Sequence, residues 1–203
     1  MKKKDFKLPV ALGMIMLLFL SVSCATIPHL QMTYRLQGEG KGLAGKKVFI
    51  IAEDMRKDKL TFGKGARKGF EKTSEDIALA IVRGSEPAAK KGIYQPSVLL
   101  KEAMESRLKH EGIDIVPEGA SPFGIALSLK SFLLDRVERK WLVNMAYEAR
   151  LMKDGKMIAS ETVSGEAERY ELVGKEQAEV ILGEIFTEVV NRLDLNKLFQ
   201  KSS

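Results

Sequence analysis

The sequence predicts an α+β fold: an antiparallel or mixed β-sheet, organised as a meander, with two amphipathic helices packed on one face. Three observations carry that prediction. Trp141, Val143, Met145, Tyr147, Ala149 and Leu151 alternate with polar positions, and Asp154-Gly155 then turns the chain into a second long run ending near Tyr170. Alternation with period two is the mark of a strand wetted on one face, and Asp-Gly supplies the positive φ of a tight hairpin. Residues 175–193 place Ala178, Ile181, Leu182, Ile185, Phe186, Val189, Val190 and Leu193 at three- and four-residue steps, with glutamates between them. Residues 96–110 show a second one-sided pattern. Long hairpins and one-sided helices, segregated along the chain, belong to the α+β class.

The elements follow in order. Lys46 to Glu53 is a short apolar, β-branched run and reads as a buried strand. Residues 54–76 are charged, carry Gly63, Gly65 and Gly69, and read as a long loop. Ile77 to Val82 is taken as a strand on its length, although Ser74-Glu75-Asp76 would also cap a short helix. Pro96 and Ser97 open a helix that turns Val98, Leu99, Met104 and Leu108 inward and stops at Gly112. Ile113 to Val116 is a short strand. Phe123 to Leu129 alternates, and Phe132-Leu133-Leu134 breaks the pattern where a bulge is expected. A last short turn near Leu198 and Phe199 docks on the sheet.

The N-terminus says where the domain works. Lys2, Lys3, Lys4 and Lys7 precede an apolar stretch from Leu8 to Leu20, and Leu20-Ser21-Val22-Ser23 leads to Cys24, the only cysteine. A basic start, a short apolar core and a small-residue site make an export signal. Leu8 to Ser23 falls short of the roughly 20 residues a membrane span requires. A retained anchor and an ordinary signal with unmodified Cys24 are the two alternatives. The segment resembles the lipobox of bacterial lipoproteins, which implies diacylation of Cys24, cleavage before it and acylation of the new amine. Ser21 stands where the lipobox usually has leucine. The expected organisation is a signal peptide over 1–23, a flexible tether over 24–45 that ends in a glycine-rich stretch, and one periplasmic domain over 46–203.

Composition narrows the function. The formal charge is +6, of which the signal's four lysines and Asp5 carry +3. The mature chain is therefore only weakly basic, and no nucleic-acid partner is expected. A lone cysteine excludes a disulfide scaffold, so the core alone holds the fold. The two histidines, His29 and His110, give neither a zinc set nor the base of a nucleophilic triad. The acidic pairs Glu75-Asp76 and Glu166/Glu168 read as wet faces. No catalytic residue, metal or cofactor is expected. Gly63-Lys64-Gly65-Ala66-Arg67-Lys68-Gly69 lacks the Lys-Ser/Thr ending of a phosphate loop. Its cations Lys64, Arg67 and Lys68, with Lys72, form instead a basic loop able to meet an anionic surface.

Over residues 46–200 the chain resembles the YajG family of bacterial lipoproteins. The resemblance rests on the first strand with its following Asp54 and Arg56, the helix segment Leu99-Leu100-Lys101-Glu102, the meander and the closing helix. It implies a small domain shaped like the N-terminal domain of TolB. It also implies an outer membrane location, because Ala25 rather than aspartate follows the cysteine. The implied role is a non-catalytic binding or adaptor module anchored to the membrane by lipid. An envelope protein partner, an accessory role in lipid or lipopolysaccharide transport and a peptidoglycan-linked regulatory role stay open.

Overall fold

The computed structural model describes residues 29–37, 42–70, 73–170 and 176–200. Cys24, the signal segment and Lys72 lie outside them. The fold is α+β, with eight strands in two sheets and four helices among the described residues. The strands are β1 (Leu30–Leu36), β2 (Lys47–Asp54), β3 (Ile77–Arg83), β4 (Ala89–Tyr94), β5 (Asp114–Ile115), β6 (Phe123–Val137), β7 (Lys140–Lys153) and β8 (Lys156–Tyr170). The helices are α1 (Lys64–Gly69), α2 (Pro96–His110), α3 (Glu176–Arg192) and α4 (Leu195–Gln200).

The larger sheet has the order β5-β2-β6-β7-β8. β2 runs parallel to both β5 and β6, while β6, β7 and β8 form the expected antiparallel meander. All six alternating residues of β7 from Trp141 to Leu151 are buried, and α2 and α3 cover that face. Asp154 and Gly155 turn the β7–β8 hairpin with φ of 49° and 76°, the twist-matching geometry of such turns. The β6–β7 pairing slips between Leu129 and Ser131, slightly before the expected break at Phe132. The extra residue re-aims the strand so that Phe132 and Leu134 return to the core.

A second sheet, of order β1-β3-β4, was not expected. Its first strand corrects the proposed tether over Leu30–Leu36, the part of 24–45 that forms β1. Leu30, Met32 and Tyr34 alternate into the core, and β1 pairs in parallel with β3 from Leu30↔Ile77 to Leu36↔Arg83. β1 is an edge strand, and α3 closes its open side. The backbone N–H groups of Gln31 and Arg35 donate to Glu179 Oε1 and Thr187 Oγ1, and Asn191 Nδ2 donates to the carbonyl of Arg35. Gly183 lets the helix sit this close, since a Cβ there would lie 2.9 Å from the Thr33 carbonyl oxygen. A bare edge invites another chain, and here side chains of the protein's own helix occupy it.

Two further expectations are corrected, and one strand is new. Val98 is exposed, because the inward stripe of α2 runs through Leu99, Leu100, Ala103, Met104 and Leu108. β4 is a wet edge strand, AKKGIY, whose pairing with β3 is irregular between Leu79 and Ala80; it carries no clear periodicity. Residues 54–76 are not one long loop, since Lys64–Gly69 forms α1.

Candidate functional site

The basic stretch is held by tertiary contacts. Gly65 and Ala66 donate their backbone N–H groups to Asp135 Oδ1 at 2.9 and 3.2 Å, so a side chain from β6 caps the helix. Capping by an acceptor at a helix start contributes on the order of 1 kcal/mol. The glycines answer to the same contact. A Cβ on Gly65 would fall 1.7 Å from the Arg136 carbonyl oxygen, and one on Gly63 2.2 Å from the Asp135 carboxyl carbon. Behind α1, Phe70 stacks on Trp141 with ring centroids 5.3 Å apart, and Phe62 packs against Phe70. Trp141 is core, as its alternation predicts. The basic loop expected here is therefore corrected to a helix anchored in the core, with Ala66 and Phe70 buried.

Three of the four cations named from the sequence, Lys64, Arg67 and Lys68, fall within the described residues, all on α1. Lys64 and Lys68 lie one helical turn apart on α1, both exposed. Arg67 Nη2 instead pairs with Glu75 Oε1 at 2.7 Å. Lys72 is outside the described residues.

Next to α1 lies a clasp. Arg56, almost fully buried, grips the Asp54 carboxylate with Nε and Nη2 and donates through Nη1 to the carbonyls of Leu60 and Phe132. Burial alone would raise the Asp54 pKa, but its hydrogen bonds from Arg56 and Lys59 prevail and hold it at about 2. The guanidinium thus ties the end of β2 and the following loop to β6. Its role is positional. Burial also pushes the phenols of Tyr34 and Tyr147 far above their ordinary value, so both remain neutral hydrogen-bond donors, to Asn191 Oδ1 and the Val189 carbonyl.

Two of the remaining concavities bear on function. A groove of about 790 Å³ follows the β1–α3 seam, lined by Thr33, Arg35, Glu179, Glu184, Glu188 and Arg192. Most of its charges engage other groups: Glu188 pairs with Arg192, Glu184 with Arg169, and Glu179 accepts from β1. A smaller crevice of about 330 Å³ lies where β2 begins, β6 begins and α4 ends. Its walls are Val48, Pro122, Phe123 and Phe199. Lys46 Nζ sits 5.4 Å from the centre of the Phe199 ring, and Lys153 Nζ 5.3 Å from that of Phe123. An apolar slot with ammonium groups over its aromatic walls suits a molecule with an anionic head and an apolar body. Sequence reasoning missed this crevice. Its four key residues come from the start of β2, from β6, from β7 and from α4, and no local pattern joins them.

Among the described residues no group of acidic, histidine or cysteine side chains is arranged to hold a metal ion, and no helix is long and apolar enough to cross a membrane.

In class, then, this is an α+β domain with a helix-covered meander. Neither a protein-family model nor a curated protein matches the sequence. Among solved structures, the chain is similar to protein XCC0632 from Xanthomonas campestris, a DUF330 protein, with a TM-score of 0.53, 11% identity, and coverage of 87% of this chain and 95% of that one. Rare lipoprotein B from Shewanella oneidensis aligns at a TM-score of 0.40 and 14% identity, over 51% of this chain and 86% of that one. Lipoprotein GNA1162 from Neisseria meningitidis aligns at 0.35 and 8% identity, over 72% and 99%. At 11% identity the first likeness is one of fold.

Proposed function

We propose that this chain is an envelope lipoprotein, held to a membrane by acyl chains on Cys24, whose domain binds rather than catalyses. The observation that carries the reading is the placement of the fold behind the signal. Leu30, the first core residue described, stands only six residues after Cys24 and is 1% exposed. A packed domain that begins directly behind a lipobox-like cysteine is the organisation of an anchored lipoprotein. Membership of a YajG-like family, outer membrane sorting with the domain on the periplasmic side, and an envelope protein as partner belong to the same reading. So does contact of Lys64, Arg67, Lys68 and Lys72 with anionic headgroups, with the exposed Lys64 and Lys68 foremost.

Anchoring is tested directly. Each buried methylene contributes about 0.8 kcal/mol, and a single acyl chain holds only marginally, so stable attachment requires more than one. Cys24→Ser is expected to leave an unprocessed or mislocalised product. Wild-type mobility and unchanged fractionation with the outer membrane would show that Cys24 carries no lipid.

A second reading, an accessory lipoprotein of a lipid or lipopolysaccharide transport system, is favoured by the lysine-topped crevice at Phe123 and Phe199. It predicts an anionic amphiphile retained through purification and visible by native mass spectrometry. Lys46→Glu with Lys153→Glu should remove that species and lower stability by no more than the two lost cation–π contacts, about 0.5–1 kcal/mol each, since Lys153 is exposed and Lys46 half-buried. Retention by the double variant would assign the bound molecule to another place.

A further inference from the structure

The two ends of the molecule differ, and the difference lines up with the chain's exit. β6 ends at Val137, β7 starts at Lys140, and β8 finishes at Tyr170 opposite Lys140. These positions define the hairpin end. α3 runs back from there antiparallel to β8, with Glu184 bonded to Arg169 and Arg192 to the Ser164 carbonyl. β1 runs beside α3 in the same sense, since Gln31 bonds to Glu179 and Arg35 to Thr187. Leu30 therefore lies at the hairpin end. The loop after β2 lies there too, through the Phe62–Leu134 bridge, and α2 and β3 begin there beside Asp54 and Arg56. The opposite end holds the Lys153–Lys156 turn and the lysine-topped crevice.

Exposed apolar side chains follow this polarity. Of the nine large hydrophobic residues exposed among those described, only Met157 belongs to the far end. Met55, Leu60, Val98, Val137, Tyr170 and Val180 all lie on the loop, strand ends and helix starts of the hairpin end, and Ile93 and Leu133 lie in the same half. Tyr170 is 64% exposed, with Lys140 Nζ 4.8 Å from its ring centre. Lys57, Asp58 and Lys59 beside Leu60, Glu138, Arg139 and Lys140 beside Val137, and Glu168 and Arg169 before Tyr170 mix both signs along this end. Aromatic and aliphatic side chains mixed with long lysines are the composition of surfaces that sit in a bilayer interface.

The chain length then limits the geometry. Six residues span at most about 20 Å. If Cys24 is acylated, Leu30 cannot stand further than that from the membrane, and the apolar rim comes with it. We propose that the hairpin end docks against the phospholipid bilayer that holds the anchor, with Val137, Tyr170, Met55 and Leu60 entering the interface and the lysine-topped crevice facing away from it. The inference rests on the lipoprotein reading but adds an orientation to it.

The test uses the full chain in vesicles of phosphatidylethanolamine and phosphatidylglycerol with brominated acyl chains. Because Cys24 is the only cysteine, lipidation leaves no free thiol, and Val137→Cys or Lys156→Cys each provides one site for a maleimide fluorophore. Several-fold stronger quenching is expected at 137 than at 156, persisting at high salt because the contact is apolar. Equal quenching at both sites, or stronger quenching at 156, overturns the proposal. So does shielding of 137 from a water-soluble quencher in intact cells without quenching by brominated lipid, which would assign the rim to a protein partner. If the wild-type protein itself takes up maleimide, the lipidation reading fails. The same contrast between 137 and 156, in a Cys24→Ser background, then decides the docking inference.

Discussion

Phe186→Ala is expected to cost roughly 3–5 kcal/mol, the range for removing a fully buried aromatic ring. Phe186 is 0% exposed and stands edge-on to Tyr34, with ring centroids 5.9 Å apart and planes at 90°. The ring joins α3 to β1, so its loss opens a cavity at the junction between the two sheets. For a domain of this size the loss lowers Tm by on the order of 10 °C. Val180 on the same helix is the control: it is 45% exposed, and Val180→Ala should stay within about 0.5 kcal/mol. Urea denaturation of the three proteins decides it. A Phe186→Ala loss below about 1 kcal/mol would mean that this face of α3 is not core.

The elements that could be read from sequence are those whose pattern arises within the element. β7 alternates because a single face is covered along its whole length. α3 shows its stripe because two sheets press on one side of it. The elements that could not be read are made by distant partners. β1 does alternate, at Leu30, Met32, Tyr34 and Leu36, but it stands between an apolar N-terminal run and a glycine-rich stretch and resembles a linker. Its partner strand β3 and the helix that covers its edge lie far along the chain. α1 is harder still. KGARKG has poor helix propensity, and its cap, Asp135, is 70 residues from Gly65. Glycines there read as flexibility, whereas they permit close approach to Asp135 and Arg136. Of the residues proposed for a site, Lys64 and Lys68 are displayed on one turn, while Arg67 is drawn off to Glu75, a pairing that spacing alone does not reveal. Asp54 and Arg56 were visible as a pattern, but the grip of Arg56 on Asp54, Leu60 and Phe132 together was not.

That grip supplies the second large effect. Arg56→Met should cost about 3 kcal/mol near neutral pH, the lower end of the range for breaking a buried ion pair. The lower end applies because the Asp54 side chain keeps 21% exposure and Lys59 still lies 3.2 Å from it. The substitution also strands the carbonyls of Leu60 and Phe132, which lose the Nη1 donor. The pH dependence separates the two contributions. Asp54 has its pKa lowered from 3.8 to about 2 in the folded protein, chiefly by Arg56 acting against burial. A carboxylate with a depressed folded pKa contributes stability that is complete above its unfolded value and is lost as pH falls through the folded one. The wild type should therefore lose this contribution between about pH 4 and pH 2. Arg56→Met has already lost most of it and should show a shallower slope. The gap between the two proteins, measured by urea denaturation at pH 6, 4 and 2.5, is expected to narrow as the pH falls, leaving at the acid end the part due to the two stranded carbonyls. A gap that stays constant over this window would mean that Arg56 acts through the carbonyls and its buried stem, and that the ion pair with Asp54 adds nothing to the fold.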